Sequence, residues 1–146
     1  MIYVYHCYRG AHMSVAAAAL HLGILQPDSG IEDILKLTWF DRLSTREMGI
    51  PVLAGTDSRG NQVYFLGLGR SGKVFERFMQ SLVHEFDLGY SYQTINCLKC
   101  IAPVTRVGGF LTRIPLLRTF GRRLAAWGVK TRLKQLEQIV LHGQGL

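Results

Sequence analysis

A loop near the amino end carries residue types that hold small anions. The segment VYHCYRGAHMSVAAAALHLG starts with strand formers and ends in an alanine-rich stretch typical of a helix. Backbone amides at a helix amino end are unpaired donors with a partial positive charge, so a phosphate or carboxylate fits there. The small Gly10 leaves room for the anion. The sequence predicts an anion site in this loop with five residues: Tyr8, Arg9, Gly10, His12 and Ser14.

His12 is the candidate acid or base of this loop, because an imidazole exchanges protons near neutral pH. No carboxylate lies close to it in the sequence, so a partner must come from the fold, and Asp57 is the candidate. The plainer interpretation is an ordinary strand-to-helix turn in which Ser14 caps the helix.

Cys7 lies near the end of the first strand, and low-molecular-weight phosphatases carry their nucleophile in a Cys-x5-Arg loop after a first strand. Six residues after Cys7 this chain has Met13, so the arginine that would clamp a phosphate and favour the thiolate is missing. We expect Cys7 to be a strand residue without a catalytic role.

A second glycine-rich stretch, GLGRSGK over residues 67–73, has the spacing of a phosphate-binding P-loop. Val74 replaces the usual magnesium-binding serine or threonine, and the preceding strand is expected in an antiparallel hairpin. We therefore predict a glycine-rich turn and no nucleoside triphosphatase, with Arg70 and Lys73 adding charge to the first loop. No dinucleotide fingerprint follows the first strand, and no cofactor is predicted.

The cysteines, Cys7, Cys97 and Cys100, predict no disulfide framework, because their number is odd and no secretory signal precedes them. Cys97 and Cys100 have the spacing of half a zinc site, but a second pair is missing. Cys7 with His6 or His12 would complete four ligands only if the fold joined them. We predict buried, inert thiols and no metal.

The net charge of +7 lies entirely in the C-terminal third. Residues 1–102 contain equal numbers of cationic and acidic residues, whereas residues 103–146 contain eight Lys/Arg and a single acid, Glu137. Such asymmetry is typical of a protein with an anionic partner: a small ligand, nucleic acid or a membrane surface. Arg106 and Arg113 stand near glycines, and we expect them to close over the first loop. Five of the other cations offer an alternative binding face: Arg118, Arg122, Arg123, Lys130 and Lys134.

The pattern of elements predicts a single α/β domain over residues 1–146, with a strand-loop-helix unit at its amino end. Four strand-like segments predict a mixed sheet of about four strands with flanking helices: residues 2–8, 51–56, 62–67 and 90–97. Helices are predicted from Val15 to Leu22 after the Ser14 cap, from an Asp28 or Ser29 cap through Trp39 and Phe40, and from Lys73 to Phe86. Residues 103–146 form a basic helical region, with a long helix over Leu116–Leu141 that Gly121 and Gly128 weaken.

The length and the first residues favour a cytoplasmic protein. The longest apolar run near the start, Val15–Leu20, is far shorter than the ~20 residues of a membrane span. Phe120 and Trp127 share the apolar stripe of the C-terminal helix and are expected in the core. The sequence does not decide whether the protein forms a homodimer, and exposure of Trp39 and Phe40 would indicate one.

Three blocks of the sequence resemble a known bacterial family. They are VYHCYRGAHMSVAAAALHLG, GTDSRGNQVYFLG and VGGFLTR…GRRLAAWG, in this order over nearly the whole chain. They are similar to domain of unknown function 3189, a family typical of endospore-forming Firmicutes. The resemblance implies an intracellular α/β protein with no established activity, and a structural role in sporulation is one interpretation of its host range. The family's first loop is usually Tyr-Gly-Gly-x-His-Ser-Ser, from which Arg9 and Met13 depart, whereas the other positions match: Tyr8, Gly10, His12 and Ser14.

Taken together, these features predict an α/β protein that binds a small phosphate-bearing ligand at the loop after the first strand. Hydrolysis or group transfer is left open, with His12 as acid or base and contacts from Lys73, Arg106 and Arg113. The alternative is a non-enzymatic protein that binds nucleic acid or an acidic protein through its basic C-terminal face. If Arg106 and Arg113 converge on the His12 loop, the interpretation as a ligand-binding protein is favoured. If the other C-terminal cations form one flat exposed stripe, the interpretation as an interaction protein is favoured.

Overall fold

The structure, a computed structural model, describes residues 1–87, 89 and 91–146. Four strands form one mixed sheet: β1 (Ile2–Cys7), β2 (Val52–Thr56), β3 (Gln62–Gly67) and β4 (Tyr92–Asn96). In the order β2-β3-β1-β4, β1 is parallel to both β3 and β4, and β2 is antiparallel to β3. The predicted mixed α/β sheet is confirmed. Tyr90, the expected start of the last strand, lies outside the described residues.

The helices of the described residues flank this sheet. They are α1 (Met13–His21), α2 (Ile31–Lys36), α3 (Gly72–Phe86), α4 (Pro103–Leu111), α5 (Arg118–Lys130) and α6 (Leu133–Gly143). Short 3₁₀ turns occupy Thr45–Glu47, Cys97–Cys100 and Pro115–Leu117.

β1 is the central strand because its side chains are buried on both faces. Successive side chains alternate between the faces. Tyr5 points to α1, where its hydroxyl lies 2.7 Å from Nδ1 of His21. His6 points to α3, where its ring lies 6.5 Å from that of Phe75. The core therefore has a thick side, which contains α1, α2, α5 and α6, and a thin side, which α3 covers.

The thin side is unusual, because α3 leaves much of its apolar surface in water. Of its side chains, Val74, Phe78 and Phe86 are exposed, although the helix has the apolar spacing that the sequence predicts. The helix touches the sheet at its first turn, where a Cβ on Gly72 would lie 2.9 Å from Cε1 of His6.

The predicted start of α1 is wrong. The helix begins at Met13, and Ser14 lies inside its first turn rather than at the cap. The Ser14 hydroxyl points into the protein and lies 3.1 Å from Sγ of Cys7, so it is not free to cap the helix. The predicted stop is confirmed, because Gly23 has a φ of +70° and its N–H donates to the carbonyl of Leu20.

The predicted start and end of α2 are also wrong. Its cap is Gly30 instead of Asp28 or Ser29, because the Asp33 carboxylate accepts a hydrogen bond from the Gly30 N–H at 2.8 Å. The helix ends at Lys36.

The residues after α2 form turns rather than a longer helix. These turns bury Phe40 completely, whereas Trp39 stays partly exposed with its ring 6.3 Å from that of Phe65. Phe40 therefore gives no indication of a homodimer.

The break in the C-terminal region falls at Thr131–Arg132 rather than at a glycine. The glycines permit close packing of α4 against α5. A Cβ on Gly108 would lie 2.7 Å from the carbonyl oxygen of Gly121, and one on Gly128 would lie 2.8 Å from the Thr105 nitrogen. Gly108 and Gly109 thus lie within α4 and do not interrupt it.

The expected burial of Phe120 and Trp127 is wrong, because their side chains are 61% and 48% exposed. The apolar stripe of a single long helix would have buried them. The change of direction between α5 and α6 divides that stripe, so that only its second half packs in the core: Leu133, Leu136 and Val140.

Candidate functional site

A cavity of about 700 Å³ lies at the carboxyl end of β1 and β3. The loops after these two strands form one wall, and α4 with the turn that follows it forms the other. Parallel α/β sheets commonly bind ligands at this end. No Asp or Glu among the described residues lines the cavity. Five cationic residues do: Arg9, Arg70, Lys73, Arg106 and Arg113.

The two glycine-rich stretches form this end of the sheet together. The N–H of Leu68 donates to the carbonyl of Cys7 at 2.9 Å, and that of Gly69 donates to Tyr8 at 2.8 Å. Gly10 has a φ of +75°, and a Cβ there would lie 2.6 Å from the backbone nitrogen of Gly67. Only glycine fits at this position, because the two loops cross in backbone contact.

Six of the eight predicted site residues line the cavity: Tyr8, Arg9, His12, Lys73, Arg106 and Arg113. Gly10 and Ser14 do not line it. Gly10 sets the path of the loop behind the cavity, and Ser14 is fully buried beside Cys7. The structure therefore brings Arg106 and Arg113 to the loop that contains His12.

His12 has a carboxylate partner, but not the expected one. Its Nε2 lies 3.0 Å from Oδ1 of Asp41, and the Thr112 hydroxyl shares its one proton between that oxygen, at 3.2 Å, and the carbonyl of Gly109, at 3.0 Å. Gly109 packs on the imidazole, since a Cβ there would lie 2.8 Å from Cε1 of His12. Asp57 lies at the opposite end of the sheet, 3.1 Å from Nε2 of His21. Asp41 follows a turn with no motif, so the sequence carries no signal for this pair.

Arg9 lies in the wall of the cavity with its charge only partly compensated. Its Nη1 donates to the carbonyl of Gly109 at 3.2 Å, and Nη2 donates to that of Leu43 at 3.4 Å. Burial and the nearby charge of Arg113 lower the pKa of Arg9, against the opposing effect of Asp41. An anion between the two guanidinium groups would relieve this repulsion.

A family model with the description "Protein of unknown function (DUF3189)" matches residues 2–144. The chain belongs to this family. Comparisons with curated proteins and with solved structures gave no match. Among the described residues of this DUF3189 protein, no helix combines the length and the apolar composition that crossing a bilayer requires.

Cys7 is a cavity residue that the sequence interpretation left out. Its Sγ accepts a hydrogen bond from the Gly10 N–H at 3.2 Å and lies close to the Ser14 hydroxyl. Its position at the end of β1 was the available signal. Burial raises the pKa of the Cys97 and Cys100 thiols, to about 11 for Cys100. The described residues hold no group of three or more His, Cys, Asp or Glu side chains suited to a metal.

The other cations of the C-terminal region are divided between two roles. Arg122 donates to the carbonyl of Leu35 at 2.8 Å, and Arg123 pairs with Glu32 at 2.9 Å, so these two connect α5 to α2. The remaining four are exposed: Arg118, Lys130, Arg132 and Lys134.

Proposed function

We propose that this protein binds a small organic phosphate in the cavity at the carboxyl end of β1 and β3. The observation that carries the proposal is the charge of the cavity, which has five cationic side chains and no carboxylate among the described residues of its wall. Cationic side chains in a partly enclosed space raise the local concentration of anions and bind phosphate oxygens.

The size and the apolar wall of the cavity favour an organic phosphate over inorganic phosphate. A volume of about 700 Å³ lies within the usual range of small-molecule sites. Leu98, Ile101 and Phe110 line it together with the cations. This combination fits a ligand with a phosphate at one end and an apolar or aromatic group at the other.

His12 gives the proposed site a group for hydrolysis or transfer. Asp41 engages Nε2 at 3.0 Å, so Nδ1 is the nitrogen left to exchange a proton with a bound ligand. A carboxylate that orients a histidine in this way is a common arrangement in acid–base catalysis. The three free, buried cysteines fit a reducing compartment, which supports a cytoplasmic location.

The test is thermal unfolding with inorganic phosphate, nucleotides, sugar phosphates and aryl phosphates. A compound at ~100 times its Kd stabilises by about 2.7 kcal/mol, which raises Tm by roughly 5–10 °C in a domain of this size. Arg113→Gln should remove most of this shift. Arg46→Gln, at an exposed position outside the cavity, is the matched control and should preserve it. Absence of any shift, or equal shifts in both variants, would refute the proposal.

Catalysis is tested separately with the compound that gives the largest shift. We expect release of inorganic phosphate or transfer to an added acceptor to fall at least ~100-fold in His12→Gln. Binding of the compound should persist in this variant. Turnover that is unchanged in His12→Gln would remove His12 from the proposed chemistry.

A further inference from the structure

The turn that joins α4 to α5 exposes large apolar side chains. We call residues 110–120 the hairpin tip. Leu116 is 97% exposed, and the side chains of Phe110 and Phe120 are 60% and 61% exposed. Ile114 and Leu117 are also exposed. A contiguous apolar surface of this kind usually marks a contact with a membrane or another molecule.

The packing of the two helices fixes this exposure. Gly108 and Gly121 bring α4 and α5 into backbone contact directly below the hairpin tip. Within the tip, the N–H of Leu117 donates to the carbonyl of Ile114 at 2.9 Å, and Pro115 begins a 3₁₀ turn. The tip is therefore a hydrogen-bonded turn whose large apolar side chains lie in water.

The charged residues of the hairpin tip itself are both positive. Arg113 and Arg118 are exposed on it, and Arg106 precedes it on α4. The sequence contains no acidic residue between Asp87 and Glu137. The tip therefore combines exposed apolar side chains with neighbouring arginines.

We propose that the hairpin tip docks on the surface of an anionic lipid bilayer. Leucine and phenylalanine side chains enter the boundary between headgroups and acyl chains, and arginines beside them bind lipid phosphates. Negative lipid headgroups complement the uniform positive charge of the tip. The contact is peripheral and does not depend on the ligand proposed for the cavity.

The same features disfavour the other occupants. A second copy related by two-fold symmetry would bring Arg113 and Arg118 of both chains together, with no acid on the tip to neutralise them. A nucleic acid would match the charge, but its polar backbone would leave Leu116 and Phe120 in water. An anionic bilayer complements both the positive charge and the apolar surface of the tip.

The experiment is co-sedimentation with two kinds of vesicle, phosphatidylcholine alone and phosphatidylcholine with an equal part of phosphatidylglycerol. We expect binding to the mixed vesicles and little to the neutral ones. The double variant Leu116→Asp/Phe120→Asp should bind at least ~10-fold more weakly, and Arg118→Gln about fivefold more weakly. The double variant Ile24→Asp/Ile50→Asp introduces the same two charges at exposed apolar positions outside the tip and should bind as wild type does.

Circular dichroism and Tm of each variant establish that it is folded, which we expect because the substituted side chains face water. Failure of the wild type to bind mixed vesicles, or equal binding by the double variant, would overturn the proposal. A dimer in light scattering that Leu116→Asp dissociates would assign the tip to a second copy instead. Thermal shifts with phosphate compounds should persist in the double variant, so the two proposals fail separately.

Discussion

The carboxylate of Asp41 connects the first loop to α4, and its removal should weaken the whole fold. Its side chain is 3% exposed and accepts hydrogen bonds from both His12 and Thr112. Asp41 also has a φ of +57°, a conformation that asparagine tolerates and alanine does not favour. Asp41→Ala and Asp41→Asn therefore form a matched pair of variants.

The magnitudes follow from these contacts. Loss of two hydrogen bonds to a buried carboxylate costs about 1.5 kcal/mol each, and alanine in the left-handed region costs about 1 kcal/mol more. Asp41→Ala should lower the free energy of unfolding by about 4 kcal/mol. Asp41→Asn keeps Oδ1 as an acceptor and the backbone preference, so its cost should be about 1 kcal/mol.

Urea unfolding followed by circular dichroism measures both values. At about 2–4 °C per kcal/mol, Tm should fall by roughly 8–16 °C in Asp41→Ala and by a few degrees in Asp41→Asn. Thr112→Val is a partial control, because it removes one of the two donors and should cost about 1 kcal/mol. Equal losses in the two Asp41 variants, or a loss below about 1 kcal/mol in Asp41→Ala, would refute this account of the His12–Asp41 contact.

Three further predictions concern the backbone, the pH dependence and the thiols. Gly10→Ala should lower the free energy of unfolding by about 3 kcal/mol, because its Cβ would meet the backbone of Gly67. Gly23 has a similar φ but nothing within 4 Å of a Cβ, so Gly23→Ala should cost only about 1 kcal/mol. Similar losses in the two variants would contradict the role of the loop crossing. Burial lowers the pKa of His6 below 6.5, against the opposing effect of the Glu76 carboxylate. Protonation of His6 therefore favours the unfolded state, and the free energy of unfolding should decline as the pH falls from 6.5 towards the lower folded-state pKa. Urea titrations across this range should show a smaller decline in His6→Gln, and an unchanged decline would exclude His6 as its source. Cys97 and Cys100 should resist iodoacetamide in the folded protein at mildly alkaline pH and react once it is unfolded, as peptide mapping would show; rapid labelling of either in the folded state would contradict their burial.

The elements that the sequence predicts correctly are those with a strong local pattern. The hairpin of β2 and β3 combines two apolar runs with a turn of Asp57, Gly60 and Asn61, and the structure has it within a residue at each end. β1 is recognisable because its apolar run leaves no polar face. The starts of α1 and α2 were wrong because several residues near each start are suitable caps. A contact of Ser14 with Cys7 and a local hydrogen bond from Gly30 to Asp33 decide among them.

The candidate site divides in the same way. Composition and the strand-to-helix turn are enough to place Arg9, His12 and Lys73 near one another, since the carboxyl ends of parallel strands share an edge of the sheet. The pairing of His12 with Asp41 depends on the path of turns that have no regular pattern. The exposure of Phe120 depends on where α5 ends, and propensity alone puts that break at a glycine instead of at Thr131.

The unequal sides of the sheet have a consequence for how the protein opens. On the thin side, α3 keeps Val74, Phe78 and Phe86 in water, and Gly72 is its one fully buried residue among those described. Less apolar area is therefore re-exposed when α3 separates than when the thick side opens, and its amides should exchange with solvent through a partial unfolding event of lower free energy. The first turn of α3 supplies Lys73 to the cavity. The same helix thus contributes to the cavity and separates from the sheet at lower free energy than the thick side does. A substitution that stabilises α3 should therefore also change access to the cavity.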